Sequence, residues 1–368
     1  MVWATSPSAA ELEDQMMIWL REMLDLPKEW VGSIQNGASE ATINALLTAR
    51  ERISGYDINF TGIDSARYRL YCSDQAHSSI DKAVAMAGLG RNNLIKIACD
   101  DAFAMDPEAL ETQIESDLGN GFKPLMVLSA MGTTGSTAID PLEAIGKITN
   151  KYNIWLHVDA ALAGTALLLE EMRWMGKGME LADSFVFNPH KWMFTNFDCS
   201  AYFVKDKTAL IRTFSVNPEY LKTREDEEVN NYRDWGISLG RRFRALKLWF
   251  VIRSFGVDEL KAKIRNHLEY AQWFKYPVEA DDSFELLAPV PLNTICFRVI
   301  STNSGESIDE LNARILDKIN DRGKIFITHT KLDNKYTLRV VIGQTEVEKR
   351  HVEKAWSEIR NISYHELP

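Results

Sequence analysis

Two charged residues in the middle of the chain have types that suit covalent chemistry on a carbonyl group. Asp159 ends the apolar run 154–158, and Lys191 follows the next apolar run, 184–187. A desolvated lysine amine can attack a carbonyl and form a Schiff base, and a carboxylate opposite a ring nitrogen can keep that nitrogen protonated, as an electron-accepting cofactor requires. Singly, each residue has an alternative: Lys191 can extend to solvent, and Asp159 can cap a turn or a helix. Together, at the ends of consecutive strands, they favour the chemical interpretation.

Composition and charge limit the kinds of protein that this chain can be. It has 368 residues, 45% hydrophobic and 26% charged, which is typical of a globular protein with a large core. The formal net charge of −10 disfavours a role in binding nucleic acid or an anionic membrane, since phosphate binding needs clustered positive charge. No apolar stretch approaches the roughly 20 residues of a membrane-spanning helix. Four widely separated cysteines without metal-ligand spacing predict reduced thiols in a cytoplasmic protein and no metal site.

The first two thirds of the chain alternate between short apolar runs and helical patterns. Strands that are apolar along their whole length and separated by helices indicate a mostly parallel sheet covered on both faces, which is an α/β fold. A helix with one apolar face precedes the first run, and a second helix opens at 37–39 and continues to about residue 53. The runs predicted to be strands cover 69–72, 94–98, 125–129, 154–158, 184–187 and 201–204.

A second, smaller α+β domain is predicted at the carboxyl end of the chain. Residues 217–235 are polar and highly charged, and connections this long inside a compact protein are usually functional or disordered. We therefore assign residues 1–274 to a large domain that contains a mobile catalytic loop at 214–235, and residues 275–368 to a small domain. A helix is expected from 238 to about 274, interrupted near Gly256. Its basic stretch 241–244 should have one arginine turned inward and the others solvated or paired.

The segments around Asp159 and Lys191 resemble those of a known family. HVDAALAG and FNPHKWMFTNFDCSA are similar to segments of the pyridoxal-phosphate-dependent group II decarboxylases, and most of all of their aromatic-L-amino-acid decarboxylase branch. The resemblance implies a type I aminotransferase-like fold, acting as a homodimer with active sites at the subunit interface. Further segments that match in the family's order are WATSPSAAELE, IQNGASEAT, SDQAHSSIDKA, GTTGSTAID and NYRDWGISLGRRFRALKLWF.

The resemblance also implies a role for each matching residue. Lys191 would bind pyridoxal 5'-phosphate covalently, Asp159 would pair with the ring nitrogen, and His77 would stack on the ring. Ala161 would contact the opposite face, where a small residue lets the ring lie close. The phosphate would bind where the second helix opens, because free backbone N–H groups and the helix dipole favour an anion there. The other residues implied to contact the cofactor or its phosphate are Ala38, Ser39, Thr134, Ser184, Asn188 and His190.

By the same resemblance, the reaction is decarboxylation of an L-amino acid to an amine and CO₂ through an aldimine and a quinonoid. Tyr232 matches the family tyrosine that protonates the product from a mobile loop; relatives with phenylalanine at that position form an aldehyde with oxygen instead. The substrate would be aromatic, of the DOPA, tyrosine, tryptophan or phenylalanine type. The alternatives are an acidic or short-chain amino acid on the same fold, or a catalytically silent dimer that binds the cofactor.

Two features depart from the family pattern. Relatives have a substantial segment before WATSPSAAELE that clasps the dimer and forms part of the substrate pocket, whereas this chain begins almost at that motif. Either the protein itself lacks this segment or the sequence is incomplete; in the first case we expect an effect on dimer stability and side-chain recognition. In addition, Leu162 lies where animal relatives tend to have an aromatic residue, which would alter how the cofactor or the substrate packs.

Overall fold

Two units, each with its own β-sheet, make up the part of the chain that the computed structural model describes, residues 2–63, 65–216, 228–300 and 307–367. The first unit comprises residues 1–131 and 139–258, and the second comprises residues 132–138 and 259–368. The short piece 132–138 therefore leaves the first unit and returns to it. Thr134, which the sequence predicts near the cofactor, belongs to the second unit.

A seven-stranded sheet forms the centre of the first unit. Its strands are β1 (Val31–Gln35), β2 (Tyr68–Ser73), β3 (Leu94–Ile97), β4 (Lys123–Ala130), β5 (Trp155–Asp159), β6 (Ser184–Phe187) and β7 (Ser200–Val204). They lie in the order β1-β7-β6-β5-β4-β2-β3. Strands β2 to β6 are parallel, and β7 runs antiparallel to both β6 and β1. The predicted mostly parallel sheet is confirmed.

Strand β1 has no counterpart among the predicted strands, whereas all six predicted runs form strands. Its residues alternate small and polar types with a single large apolar side chain, Ile34, so no continuous apolar run marks it. The strand forms because it pairs with β7 along its whole length, from Val31 opposite Val204 to Gln35 opposite Ser200. Sheet pairing has therefore overridden a weak local pattern.

Helices cover the sheet of the first unit. Helix α2 packs against it through small buried residues, Ala41, Ala45 and Ala49, which let the helix approach the strands closely. The predicted helix that opens at 37–39 is thus confirmed. The helices are α1 (Pro7–Met23), α2 (Ala38–Ile53), α3 (Ile58–Thr61), α4 (Ser79–Met86), α5 (Pro107–Gly119), α6 (Leu142–Lys151), α7 (Pro189–Trp192) and α8 (Lys207–Phe214), followed by the long helix α9 (Arg244–Glu279).

Helix α9 is interrupted at Gly256, as the sequence predicts. The φ of Gly256 is 72°, a left-handed conformation that glycine adopts without steric cost. The helix begins at Arg244, later than expected, and the residues after 258 belong to the second unit. There Phe274 and Val278 pack into the core of that unit. This packing explains why the observed division falls at 258, whereas the sequence placed the domain boundary after 274.

The second unit is built on a four-stranded antiparallel sheet in the order β10-β11-β9-β8. Its elements are β8 (Phe284–Leu286), β9 (Thr294–Val299), α10 (Ile308–Asp321), β10 (Thr328–Leu332), β11 (Lys335–Val341) and α11 (Lys349–Glu366). Across the described ranges of both units, no helix is long and apolar enough to cross a membrane. The same ranges contain no cluster of three or more His, Cys, Asp or Glu side chains that could hold a metal ion.

Candidate active site

Asp159 and Lys191 lie on neighbouring turns at one edge of the large sheet. Strands β5 and β6 are parallel, with Asp159 opposite Val186, so their carboxyl ends meet at the same edge. The two turns that follow are joined by backbone hydrogen bonds: the Ala160 N–H donates to the Val186 carbonyl (2.9 Å) and the Asn188 N–H to the Ala161 carbonyl (3.0 Å). Ligands of open α/β sheets bind at this carboxyl edge. The pair that the sequence singled out is therefore brought together.

The carboxylate of Asp159 is oriented by its own turn. Its Oδ1 accepts the Ala161 N–H at 3.1 Å, and the side chain is only partly buried. Ala161 is also partly exposed, so its methyl group lies at the surface of this edge. The arrangement holds a negative charge in a fixed direction beside a small side chain, as a flat ring with a protonated nitrogen would require.

Lys191 is carried by the short helix α7, which begins directly after β6. Its backbone N–H donates to the Asn188 carbonyl (2.8 Å), and the side chain is exposed. Pro189 at the first helical position fixes the turn, because proline suits the start of a helix, where its missing N–H would have no partner. The lysine therefore projects from a rigid strand–turn–helix junction.

The side chains of Asn188 and His190 hold this junction through hydrogen bonds to Ser200 and Cys199. The Asn188 Oδ1 accepts the Ser200 hydroxyl at 2.6 Å, and the His190 Nδ1 accepts the Cys199 N–H at 2.8 Å. Because Nδ1 is an acceptor, the proton of neutral His190 is on Nε2. Burial lowers the pKa of His190, and the nearby Lys191 amine lowers it further. Both side chains are used to hold the Lys191 turn against β7; their predicted contacts with the cofactor stay predictions.

The amino end of α2, which the sequence predicts to bind the phosphate, opens at the same edge of the sheet. Strand β1 is antiparallel to β7, and β7 is antiparallel to β6, so β1 also ends at the Lys191 edge of the sheet. The N–H groups of Glu40 and Ala41 bond to the Gly37 carbonyl, which leaves those of Ala38 and Ser39 at the open first turn. The Ser39 side chain is exposed there. Backbone donors, hydroxyl and helix dipole together suit a phosphate group.

His77 follows β2 and so reaches the same edge of the sheet. Its Nδ1 accepts the Ser79 N–H at 3.1 Å and lies 2.8 Å from the Ser79 hydroxyl, while the ring remains exposed. These bonds fix the orientation of the imidazole and place its proton on Nε2. An exposed, oriented ring is suited to stack on a planar ligand.

Ser184 is not part of this group, which corrects the prediction that it contacts the phosphate. It is the first residue of β6, whereas Lys191 follows the last, so the strand separates them. Its hydroxyl is fully buried and accepts the Trp155 indole N–H at 2.9 Å, with His157 Nδ1 at 2.8 Å. The serine therefore packs the opposite end of the sheet.

Tyr232 is also held away from the carboxyl edge. Its side chain is 1% exposed, and its hydroxyl donates to Asp14 Oδ1 at 2.6 Å. It lines a cavity of about 370 Å³ together with Val31 and Gly32, at the beginning of β1 rather than at its end. The cause is packing: the ring contacts Trp235 at 5.0 Å and lies under the Arg241 guanidinium. In this arrangement Tyr232 joins α1 to the segment that leads into α9.

Residues 217–227 of the predicted catalytic loop lie outside the described residues. Thr134 is exposed within the second unit, where its carbonyl accepts a hydrogen bond from Arg339. Its role near the cofactor stays a prediction. Three residues that the sequence analysis did not assign to the site form a polar network beside it, in which exposed Asn36 bonds buried Arg244 and Arg244 pairs with buried Asp198.

The functional groups at this edge of the sheet fit a phosphorylated aromatic aldehyde. One edge of the sheet presents an amine, an oriented carboxylate, an exposed imidazole and an anion-binding helix start, on Lys191, Asp159, His77 and the Ala38–Ser39 turn. Pyridoxal phosphate needs each of these: a Schiff-base partner, a counter-charge for the ring nitrogen, a stacking group and a phosphate site.

Comparison with known proteins also indicates pyridoxal phosphate as the cofactor. Residues 1–300 match the family described as the pyridoxal-dependent decarboxylase conserved domain. The chain is 41% identical to tryptophan decarboxylase 2 of Oryza sativa subsp. japonica, covering 98% of this chain and 74% of that protein, and 41% identical to a phenylacetaldehyde synthase of Arabidopsis thaliana, covering 97% and 75%. A crystal structure of Oryza sativa TDC with PLP and tryptamine superimposes with a TM-score of 0.95 at 34% identity, covering all of this chain and 78% of that one.

Proposed function

This chain belongs to the pyridoxal-dependent decarboxylase family, and we propose that it converts an aromatic L-amino acid of the DOPA, tyrosine, tryptophan or phenylalanine type to the amine and CO₂. One observation carries the proposal most: Asp159 and Lys191 lie on two turns that are hydrogen-bonded to each other at the carboxyl edge of parallel strands. A lysine and a carboxylate so placed match the two ends of the cofactor's ring system.

Each residue at this edge then has a defined task. Pyridoxal phosphate, when bound, supplies an aldehyde that binds amines covalently and a conjugated ring that accepts the electron pair left when CO₂ departs. Lys191 would hold that aldehyde until a substrate amine replaces it. Asp159 would keep the ring nitrogen protonated, and the N–H groups of Ala38 and Ser39 would bind the phosphate oxygens. His77 would cover one face of the ring and so exclude water from it.

We further propose that the enzyme works as a cytoplasmic homodimer with shared active sites. Large apolar side chains are exposed together where α9 begins, and grouped exposure of this kind is typical of interfaces. Leu246 and Phe250, four residues apart, lie on one face of the helix. The exposed members of this group, all in the first unit, are Ile237, Leu239, Phe243, Leu246 and Phe250. The four cysteines are free thiols, in keeping with a reducing compartment.

We expect sedimentation equilibrium to give twice the mass of the chain, and Phe250→Asp to give the monomer, because a carboxylate in an apolar interface is costly to desolvate. Phe60→Asp is the matched control: Phe60 is exposed on α3, whose Asn59 bonds Glu51 near the carboxyl end of α2, whereas α9 begins beside Asn36, before the amino end of α2. A monomeric wild-type protein with full activity would contradict the dimer.

Amine release from a panel of amino acids tests the reaction itself. With the purified protein and added pyridoxal phosphate, we expect amine from tryptophan, tyrosine, DOPA or phenylalanine and little from glutamate, aspartate or serine. Amine formed only from an acidic or short-chain substrate would replace the aromatic assignment. Cofactor binding without release of any amine would favour the catalytically silent dimer.

A further inference from the structure

The basic stretch 241–244 has a placement that the proposed reaction does not explain. Two of its arginines are turned inward rather than the single one expected: the side chains of Arg241 and Arg244 are each 4% exposed, whereas that of Arg242 is 75% exposed. Arg244 is the first residue of α9, where the helix dipole disfavours a cation. A buried arginine in this position needs anionic or polar partners that outweigh both costs.

Arg244 has two such partners, from two different parts of the first unit. Its Nη2 donates to Asp198 Oδ2 at 3.0 Å and also to Asn36 Oδ1. Burial alone would raise the pKa of Asp198, but the hydrogen bond from Arg244 and the neighbouring cations outweigh it and lower that pKa to about 2. The carboxylate is therefore ionised at neutral pH, and one guanidinium nitrogen links it to an amide.

The contact with Asp198 connects Arg244 to Lys191 through Cys199 and His190. The next residue, Cys199, donates its N–H to His190 Nδ1 at 2.8 Å and accepts the His190 N–H through its carbonyl at 3.2 Å. His190 precedes Lys191 in α7. Fixing Asp198 therefore fixes the segment before β7 that holds the lysine turn.

The contact with Asn36 connects Arg244 to the predicted phosphate-binding turn at the start of α2. Asn36 is the residue before Gly37, whose carbonyl accepts the first hydrogen bonds of α2. Its N–H donates to Glu40 Oε2 at 2.7 Å, and Glu40 in turn accepts the Ser238 hydroxyl at 2.7 Å. The open N–H groups of Ala38 and Ser39 follow in the same turn. Fixing Asn36 therefore fixes the direction of these donors.

We propose that Arg244 is a positioning residue that holds the lysine turn and the phosphate-binding turn at a set separation, so that one cofactor can occupy both. The inference rests on the proposed function, because it assigns the two turns to the aldehyde and phosphate ends of pyridoxal phosphate. A site ordered in advance loses less entropy when its ligand binds. Arg242 also reaches Asp198, at 3.1 Å, but from the solvent side and without touching Asn36.

The test compares Arg244→Gln with Arg242→Gln by titrating the apoenzyme with pyridoxal phosphate and following its absorbance. We expect Arg244→Gln to weaken cofactor affinity by about 10- to 100-fold, the value of one or two charge-assisted hydrogen bonds. Arg242→Gln should change it by less than about 3-fold, as exposed ion pairs contribute little. Arg244→Lys keeps a cation beside Asp198 and should recover part of the loss. The titrations are done well below each variant's melting temperature, so that every variant is folded. If Arg244 served only the stability of the fold, its replacement would then leave the cofactor affinity unchanged.

The outcomes separate the two proposals. If the wild-type apoenzyme does not bind pyridoxal phosphate, the proposed function fails and the inference fails with it. If the wild type binds and Arg244→Gln binds equally well, only the inference is overturned. If Arg244→Gln does not fold, Asn36→Ala decides, since Asn36 is exposed and its replacement removes the acceptor of the Arg244 bond, together with the amide bond from Asn36 to Glu40 in the same turn. Affinity reduced by Asn36→Ala supports the link, and unchanged affinity overturns it.

Discussion

Replacement of Lys191 by alanine is expected to abolish covalent attachment of the cofactor and to lower decarboxylation by at least about 10⁴-fold, as loss of a nucleophile does in other enzymes. The reason is positional. Lys191 projects from a junction that Pro189, the Asn188 carbonyl and β7 hold rigid, beside the turn that carries Asp159. Borohydride reduction followed by peptide mass spectrometry measures the attachment directly, because reduction turns a Schiff base into a stable secondary amine and the modified peptide identifies the lysine that carried it.

Two further variants make the Lys191 result specific. Lys191→Arg keeps the positive charge but cannot form the Schiff base, so it should behave like alanine in the trapping experiment. Lys205→Ala is the matched control: Lys205 follows β7, which runs antiparallel to β6, and so it lies at the opposite edge of the sheet. A normal visible absorption band and a trapped adduct in Lys191→Ala would reject this lysine as the point of attachment.

Replacement of Tyr232 by phenylalanine is expected to change the product from amine to aldehyde. The hydroxyl of Tyr232 keeps its proton at neutral pH, because burial and the nearby carboxylates of Glu13 and Asp14 raise its pKa well above the usual value. By the family resemblance this hydroxyl would supply the proton that completes the amine, and without it dioxygen would be consumed instead. In this chain the hydroxyl is bonded to Asp14, away from the Lys191 edge, so the prediction rests on the resemblance and not on the position of the ring. Quantifying amine and aldehyde by chromatography, together with dioxygen uptake, measures the change.

Asp14→Ala separates this role from the packing role that the structure shows. Tyr232 donates to Asp14 at 2.6 Å, so either substitution removes that hydrogen bond and should lower the free energy of unfolding by about 1 to 2 kcal/mol. Only Tyr232→Phe also removes the hydroxyl. Aldehyde from Tyr232→Phe with amine retained by Asp14→Ala would support a proton donor. Destabilisation of both variants with amine as the product of each would leave Tyr232 as an anchor between α1 and the approach to α9. Asp14→Ala should lose the more stability, because it also removes the bond from Asn230 to Asp14 Oδ1.

The parts of the site that follow directly from strands could be predicted. Asp159 ends β5 and Lys191 follows β6, and both strands are continuous apolar runs, so their parallel pairing and common edge follow from the pattern. Strand β1 could not be predicted, because its short polar sequence becomes a strand only through β7. Ser184 was assigned to the phosphate by resemblance, but a four-residue strand places it at the wrong end of the sheet.

The fold class, the placement of Asp159 and Lys191 at the ends of neighbouring strands, and the helix start that suits a phosphate could all be predicted from the sequence. Each of these depends on residues close together in the chain, where local patterns control structure. Only the tertiary structure decided the burial of Tyr232 against Asp14 and the link from Arg244 to Asn36 and Asp198. These contacts join positions that are far apart in sequence. Packing and desolvation decide which charged side chains pair, and neither can be predicted from spacing along the chain.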